Sequence, residues 1–159
     1  MANLRVDGEV DHPREISFED LSEIETSSQI SDVRTVGARR PGQAVKISAL
    51  LALVGKKSTA KFIGLHASRD DFHASIPLAD QVLDAVIVYG DDGKPLHIES
   101  GGPFRFFIPE HTECQVDEID ECANVKFVDH IELTVEKGYD NRPKDEAEHE
   151  RLHQNEHQH

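Results

Sequence analysis

The Gly101-Gly102-Pro103 corner constrains this chain more than any other feature. It sits between a strand-like run ending at Tyr89, an Asp91-Asp92-Gly93 turn with a short polar segment, and an apolar run, Phe104 to Ile108. The pattern predicts a strand, a tight hairpin turn, a sharp corner and a second buried strand. Two glycines permit positive φ or close backbone approach, and Pro103 fixes the direction in which the chain leaves. Arg105 is then held at a defined angle among Phe104, Phe106, Phe107 and Ile108. A guanidinium in apolar surroundings calls for an anion, and two readings stand: a bound anionic ligand, or a buried ion pair with a local acid.

Charge is unevenly distributed around that corner. The 159 residues carry a formal net charge of −14, which argues against a general nucleic-acid or anionic-membrane binder. Between Asp7 and Asp32 there are nine acids and one base, whereas between Arg34 and Lys61 there are seven bases and no acid. This cationic island is either a solvated face that balances its neighbours or one wall of a pocket for a phosphorylated ligand. No apolar run is long enough to span a membrane, and Met1 to Asp20 has neither a basic opening nor an apolar stretch, so the expected location is cytoplasmic. Two cysteines make no disulfide framework.

Read in order, residues 4 to 10 alternate as an edge strand closed by Pro13, and Ser17 caps a short helix carrying Phe18, Leu21 and Ile24 on one side. Ile30 to Val36 reads as a half-buried strand. The turn Gly37 to Gly42 then leads into a helix through Ile47, Leu50, Leu51 and Val54, which ends at Gly55. Further strands are expected at Phe62 to Ala67 and Phe72 to Ile76, on either side of an Asp70-Asp71 turn, with a helical turn after Pro77. Strands and short helices interleave without a regular βαβ rhythm, which predicts an α+β fold of mixed β-sheets with short flanking helices. One domain over residues 1–139 is expected, followed by a polar, His-rich tail over 140–159 that reads as flexible, disordered or loosely helical, since one leucine cannot anchor it. On a helix the tail's His149, His153 and His157 would share a face able to bind zinc, copper or nickel.

Two constellations carry candidate chemistry. The first is Gly93-Lys94-Pro95-Leu96, Gly101-Gly102-Pro103-Phe104-Arg105, Ile108-Pro109, then Val125-Lys126-Phe127-Val128 and an apolar strand. In this order the segments resemble the molybdopterin-binding domain of the sulfite oxidase family, which includes the catalytic subunit of bacterial methionine-sulfoxide reductase. Val6 to Val10, Ile16 to Leu21, the helix from Ile47 to Gly55 and Ala74-Ser75-Ile76-Pro77-Leu78 extend the likeness, so that it covers about residues 4 to 139.

The resemblance implies the fold, oxygen-atom-transfer chemistry at molybdenum, and a molybdopterin-type cofactor held by Arg39, Arg40, Arg105 and Lys126. It also places Thr35, in Thr35-Val36-Gly37-Ala38-Arg39-Arg40, where the family has its metal-ligating cysteine, and a hydroxyl is a poor substitute for a thiolate. Ser100 stands where a histidine is common in the family. Tyr139, fourteen residues after Val125, lies near the spacing of an active-site tyrosine. The alternatives are a strand lysine pairing with Glu132 or Asp129 for Lys126, and a surface aromatic for Tyr139. For the whole chain they are a non-catalytic relative binding another phosphorylated molecule, or a partner's acidic segment.

The second constellation is His111, Cys114, Cys122 and His130, two soft and two borderline ligands in an H-x2-C-x7-C-x7-H pattern. Such a set is able to close a tetrahedral zinc site and staple the acidic loop between them, as a structural or interaction module. The competing reading is two unpaired cysteines, or an occasional disulfide, in that loop.

Overall fold

A computed structural model describes residues 3–109 and 125–141. Two five-stranded sheets carry the fold. In the first the order is β2 (Arg14–Ile16), β1 (Leu4–Gly8), β10 (His130–Thr134), β5 (Phe62–Ala67), β6 (Phe72–Pro77). The second runs β3 (Gln29–Ile30), β4 (Gln43–Lys46), β7 (Val86–Asp91), β8 (Lys94–Pro95), and β9 (Arg105–Phe107) also pairs with β7. One pair, β1 with β10, is parallel and the other ladders are antiparallel, so the sheets are mixed. Short helices α1 (Phe18–Ser22), α2 (Ile47–Val54) and α3 (Asp80–Leu83) complete the expected α+β class.

The main core lies on the shared side of the sheets, with Leu4, Val6, Ile63, Leu65, Ile131, Ile87, Tyr89 and Phe106 all fully buried. A smaller cluster of Val33, Ala44, Val86, Val88, Leu96 and Phe107 covers the other face of the second sheet. Burial on both faces accounts for the unbroken apolar run of β7, which a one-sided strand would interrupt with polar residues. Tyr89 brings a polar tip into this core and donates its hydroxyl to Gln29 Oε1 at 2.7 Å; burial raises the phenol's pKa.

Local chemistry fixes several boundaries. Ser17 accepts from the Asp20 amide at 3.1 Å while Asp20 accepts from the Ser17 amide at 3.0 Å, a reciprocal cap. The Ser17 amide, more than any other group, holds the Asp20 carboxyl below its ordinary value. Ser17→Ala is expected to cost about 1 kcal/mol, read as a shift in the urea midpoint without a change in slope. Helix α2 buries Ile47, Leu50, Leu51 and Val54 and ends at Gly55, as its spacing predicts.

Three boundaries differ from expectation. The strand at residues 4 to 10 is not an edge: β1 stops at Gly8 and lies between β2 and β10, and the three residues after Pro13 take the edge instead. The stretch Ile30 to Val36 is not one strand. The Asp32 carboxylate accepts from the Arg34 amide at 3.0 Å and turns Val33–Val36 into a 3-10 helix. Between Gly42 and α2 the chain adds β4, because Ala44 and Val45 are both buried, one on each face of the second sheet.

Candidate functional site

One edge of β7 is shared by two strands, and the site lies where the chain passes between them. Gly90 and Asp91 pair with Pro95 and Lys94 around an Asp92-Gly93 turn, with both turn residues at positive φ, as two-residue hairpins of this kind require. Residues 96–104 then leave the sheet and return, so that Arg105, Phe106 and Phe107 pair with Val88, Ile87 and Val86. The excursion contains the corner. Gly101 has φ +94, the Gly102–Pro103 peptide is cis, and the Gly102 amide donates to His97 O at 2.9 Å. A Cβ on Gly102 would lie 2.0 Å from Leu96 O, so only glycine fits there.

The corner and the segment from Val125 to Val128 lock together. Phe106 and Val125 exchange both backbone hydrogen bonds, Val128 N–H donates to Phe104 O, and Phe127 N–H donates to Gly101 O at 2.8 Å. Lys126 therefore stands in an irregular segment ahead of β10, not on a strand, and forms no ion pair with Glu132 or Asp129. A side chain added at Gly101 would meet Arg105 Cδ at 3.1 Å and Lys126 Cγ at 3.2 Å. The stems of both cations thus pass the same glycine.

Side chains alternate along β9, so Phe106 enters the main core while Arg105 and Phe107 face the other way. There a shallow recess, about 270 Å³ when the solvent at its open mouth is counted, has an apolar floor of Val33, Val88, Leu96 and Phe107, and its polar side chains are Arg40, Ser100 and Arg105. Arg40 Nη1 donates to Glu99 O at 3.1 Å, tying the loop after Val36 to the corner. Arg105 Nε is buried and has no hydrogen-bond partner. Burial, and then the like charge of Arg40, lower the pKa of this guanidinium. Among the described residues no carboxylate forms an ion pair with Arg39, Arg40, Arg105 or Lys126. A buried donor and a desolvated cation left without an answer are costly, and an anion entering the recess offsets that cost.

The proposed cations are not all equivalent. Arg40 and Arg105 share the recess, Lys126 flanks Arg105 across Gly101, and Arg39 is exposed and does not line the recess. Thr35 lies in the 3-10 turn, exposed, with its hydroxyl donating to Asp32 O at 2.7 Å. Tyr139, 61% exposed, lies edge-on to His73 at 4.7 Å on the first sheet, not in the recess.

Of the zinc set, His111, Cys114 and Cys122 lie outside the described residues, as do His149, His153 and His157. His130 opens β10 with its Nε2 2.6 Å from Asp7 Oδ1, and among the described residues no group of three or more His, Cys, Asp or Glu is placed to hold a metal ion. Nothing among the described residues supports zinc at His130. Among the described residues no helix is long and apolar enough to cross a membrane.

Sequence reasoning missed a cluster on the first sheet, where His66, His73 and His130 meet with Asp7, Asp71 and Glu132. A signal was present: strands at Phe62 to Ala67 and Phe72 to Ile76 around a shared turn already set His66 opposite His73.

Comparison with known proteins agrees with this architecture. Residues 2–141 match the family model described as the oxidoreductase molybdopterin binding domain. A Bacillus subtilis (strain 168) protein named "Uncharacterized oxidoreductase YuiH" is 32% identical over 112 residues, covering 67% of this chain and 56% of that protein. Among solved structures, the sulfane dehydrogenase SoxCD from Paracoccus pantotrophus superposes with a TM-score of 0.61 at 18% identity, over 86% of this chain and 39% of that one. The chain thus spans little more than half of the curated relative and well under half of the solved chain. The fold is that of the sulfite oxidase-like proteins, and the family match runs through the corner, the recess and the Val125 to Val128 segment: the chain belongs to the oxidoreductase molybdopterin-binding domain family.

Proposed function

We propose that this chain binds a molybdopterin-type cofactor at the recess, as the cofactor-holding domain of an oxidoreductase. The observation that carries the reading is the buried, unpartnered Arg105 Nε beside Arg40. Arg105 offers a planar fork to an anionic group, Arg40 adds a second positive charge at the rim, and Lys126, whose stem passes Gly101 beside that of Arg105, supplies an ammonium. Ser100 contributes a hydroxyl, and the apolar floor lowers the local dielectric, which strengthens each charged contact. When bound, a cofactor of this class supplies two-electron, oxygen-atom-transfer chemistry.

A second reading has an observation in its favour. The Thr35 hydroxyl is spent on Asp32 O, and no thiolate stands in that segment, so the recess is equally suited to an anion that needs no protein ligand to a metal. That ligand is another phosphorylated small molecule or a partner's acidic segment.

Elemental analysis combined with fluorescence of oxidised pterin separates the two. Chain purified from a cofactor-making host is expected to retain about one pterin per polypeptide, and Arg40→Ala is expected to lower retention about tenfold, the worth of one charge-assisted contact. Pterin without molybdenum supports cofactor binding without a metal ligand. Absence of pterin together with measurable binding of inorganic phosphate supports the second reading; absence of both removes the site.

A further inference from the structure

The histidine cluster on the first sheet is separate from the recess and has its own chemistry. His66 on β5 and His73 on β6 are register partners, both partly buried, with their Nδ1 atoms 2.8 Å apart. Their outer nitrogens are already engaged: His66 Nε2 lies 3.3 Å from Glu132 Oε1, and His73 Nε2 lies 2.9 Å from Asp71 Oδ1.

An ionised carboxylate only accepts, so each Nε2 must carry a hydrogen. Two neutral rings with their hydrogens spent this way would turn two lone pairs on each other at 2.8 Å. One further proton converts that repulsion into an Nδ1–H···Nδ1 hydrogen bond. A second would set two N–H groups head to head and two like charges in contact. The pair therefore closes with three N–H hydrogens on two rings, and opens with four. A metal ion is not the better bridge, since the two Nδ1 atoms have hydrogen-bond geometry toward each other and among the described residues no third ligand is placed to join them.

The neighbours oppose the fourth hydrogen. The His130 ring lies over His66 with centroids 5.0 Å apart, and its own Nε2 is held by Asp7, which also pairs with Arg5 at 3.0 Å. Beyond Asp71 the other charged groups at this end are Asp129, which accepts from the Ser68 amide, and Arg69, which is drawn over the Phe127 ring. Burial first, then the charges of His130 and His73, lower the His66 pKa against the opposing pull of Glu132. A histidine with a lowered folded-state pKa is protonated more readily once released. Uptake of the fourth hydrogen is therefore harder in the closed arrangement than on a released histidine, so the closed arrangement loses stability as pH falls below the ordinary histidine value. The third hydrogen, which makes the Nδ1–H···Nδ1 bond, acts with the opposite sign and is given up only as pH rises.

His73 also anchors a strap. Asn141 N–H donates to His73 O at 3.0 Å and His73 N–H donates to Asn141 Oδ1 at 2.9 Å. Next along the strand, Ser75 N–H donates to Asp140 Oδ2, and Gly138 N–H donates to Ser75 Oγ, both at 2.9 Å. Tyr139 lies edge-on against the His73 ring. Residues 138–141 thereby cover the outer edge of β6, the last strand of its sheet.

We propose that the His66–His73 pair is an acid-sensitive latch: closed, it holds His73 against Tyr139 and keeps the strap on β6, and a further proton taken up on acidification parts the rings, releases the strap and bares that edge.

The test is amide hydrogen exchange of the full chain at about pH 7.5 and about pH 5.5, a window that lies above the ordinary carboxylate range and crosses that of histidine. Results are compared as protection factors, so that the intrinsic pH dependence cancels. Protection of the His73, Ser75, Gly138 and Asn141 amides is expected to fall about tenfold or more at the lower pH, while amides between β5 and β10 keep theirs. His73→Phe retains a ring for Tyr139 but takes up no proton, so its strap protection should not respond to pH. His66→Gln serves the same purpose if the first variant does not fold. Nitrogen NMR of the unsubstituted chain gives an independent readout, with both Nε2 atoms protonated and one Nδ1 hydrogen shared near pH 7. Equal strap protection at both pH values, acid loss that persists in the variants, or an unprotonated Nε2 on either ring would overturn the latch.

Discussion

Gly102→Ala is expected to destabilise the domain by about 3 kcal/mol or more, and to remove ligand retention with it. The added Cβ would meet Leu96 O at 2.0 Å, Leu96 C at 2.6 Å and His97 O at 2.8 Å. These are backbone atoms, so no side chain can swing aside to relieve the contact, and the 96–104 excursion must move as a unit. That movement breaks the Gly102 N–H bond to His97 O and pulls on Leu96, whose amide donates to Tyr89 O. It also carries Arg105 away from Arg40. Urea unfolding checks the first part and pterin fluorescence the second. Gly93→Ala provides the comparison: it too has positive φ, at +76, but nothing lies within 4 Å, so the expected cost is only the backbone strain of about 1–2 kcal/mol with retention intact. Equal effects from the two substitutions would mean that close packing at the corner is not what fixes Arg105.

Arg105→Met is expected to lower retention of pterin, or binding of inorganic phosphate, by about ten- to a hundredfold while leaving the unfolding midpoint unchanged or raised. The argument turns on what Arg105 lacks. Its Nε is buried without an acceptor, burial and then Arg40 disfavour its charged form, and no described carboxylate pairs with it. Removing such a group relieves a desolvation cost, and an unbranched thioether of similar length can lie on the floor formed by Val88, Leu96 and Phe107. A residue kept for stability behaves in the opposite way. A drop of more than about 2 kcal/mol with retention unchanged would assign Arg105 to the fold and leave the recess without its main anion-binding group.

Much of this arrangement was legible from local patterns. The Ser17 cap, the apolar face of α2 up to Gly55, the Asp92-Gly93 hairpin and the two strands around Asp70-Asp71 depend on residues a few positions apart. The position of β1 was not legible, because its neighbour β10 lies more than a hundred residues away and nothing in Leu4 to Gly8 identifies that partner. Asp32 misled in another way: its short side chain turns the backbone at a point where the neighbouring valines favour a strand. At the site, the glycine corner and the family resemblance picked out Arg40, Arg105 and Lys126. They also picked out Arg39, which follows the same motif but does not line the recess. The three histidines escaped notice because each is ordinary in its own segment and they meet only through strand pairing.

The parallel pairing of β1 with β10 also has a consequence for synthesis. Translation at about 5–20 residues per second separates the emergence of these two strands by roughly 6–25 seconds. The second sheet, drawn from residues 29–107, has all its strands before then, as does the β5–β6 ladder. During that interval Leu4 and Val6 have β2 on one side and no neighbour on the other, so the nascent chain carries an open flank that only its last described strand can close.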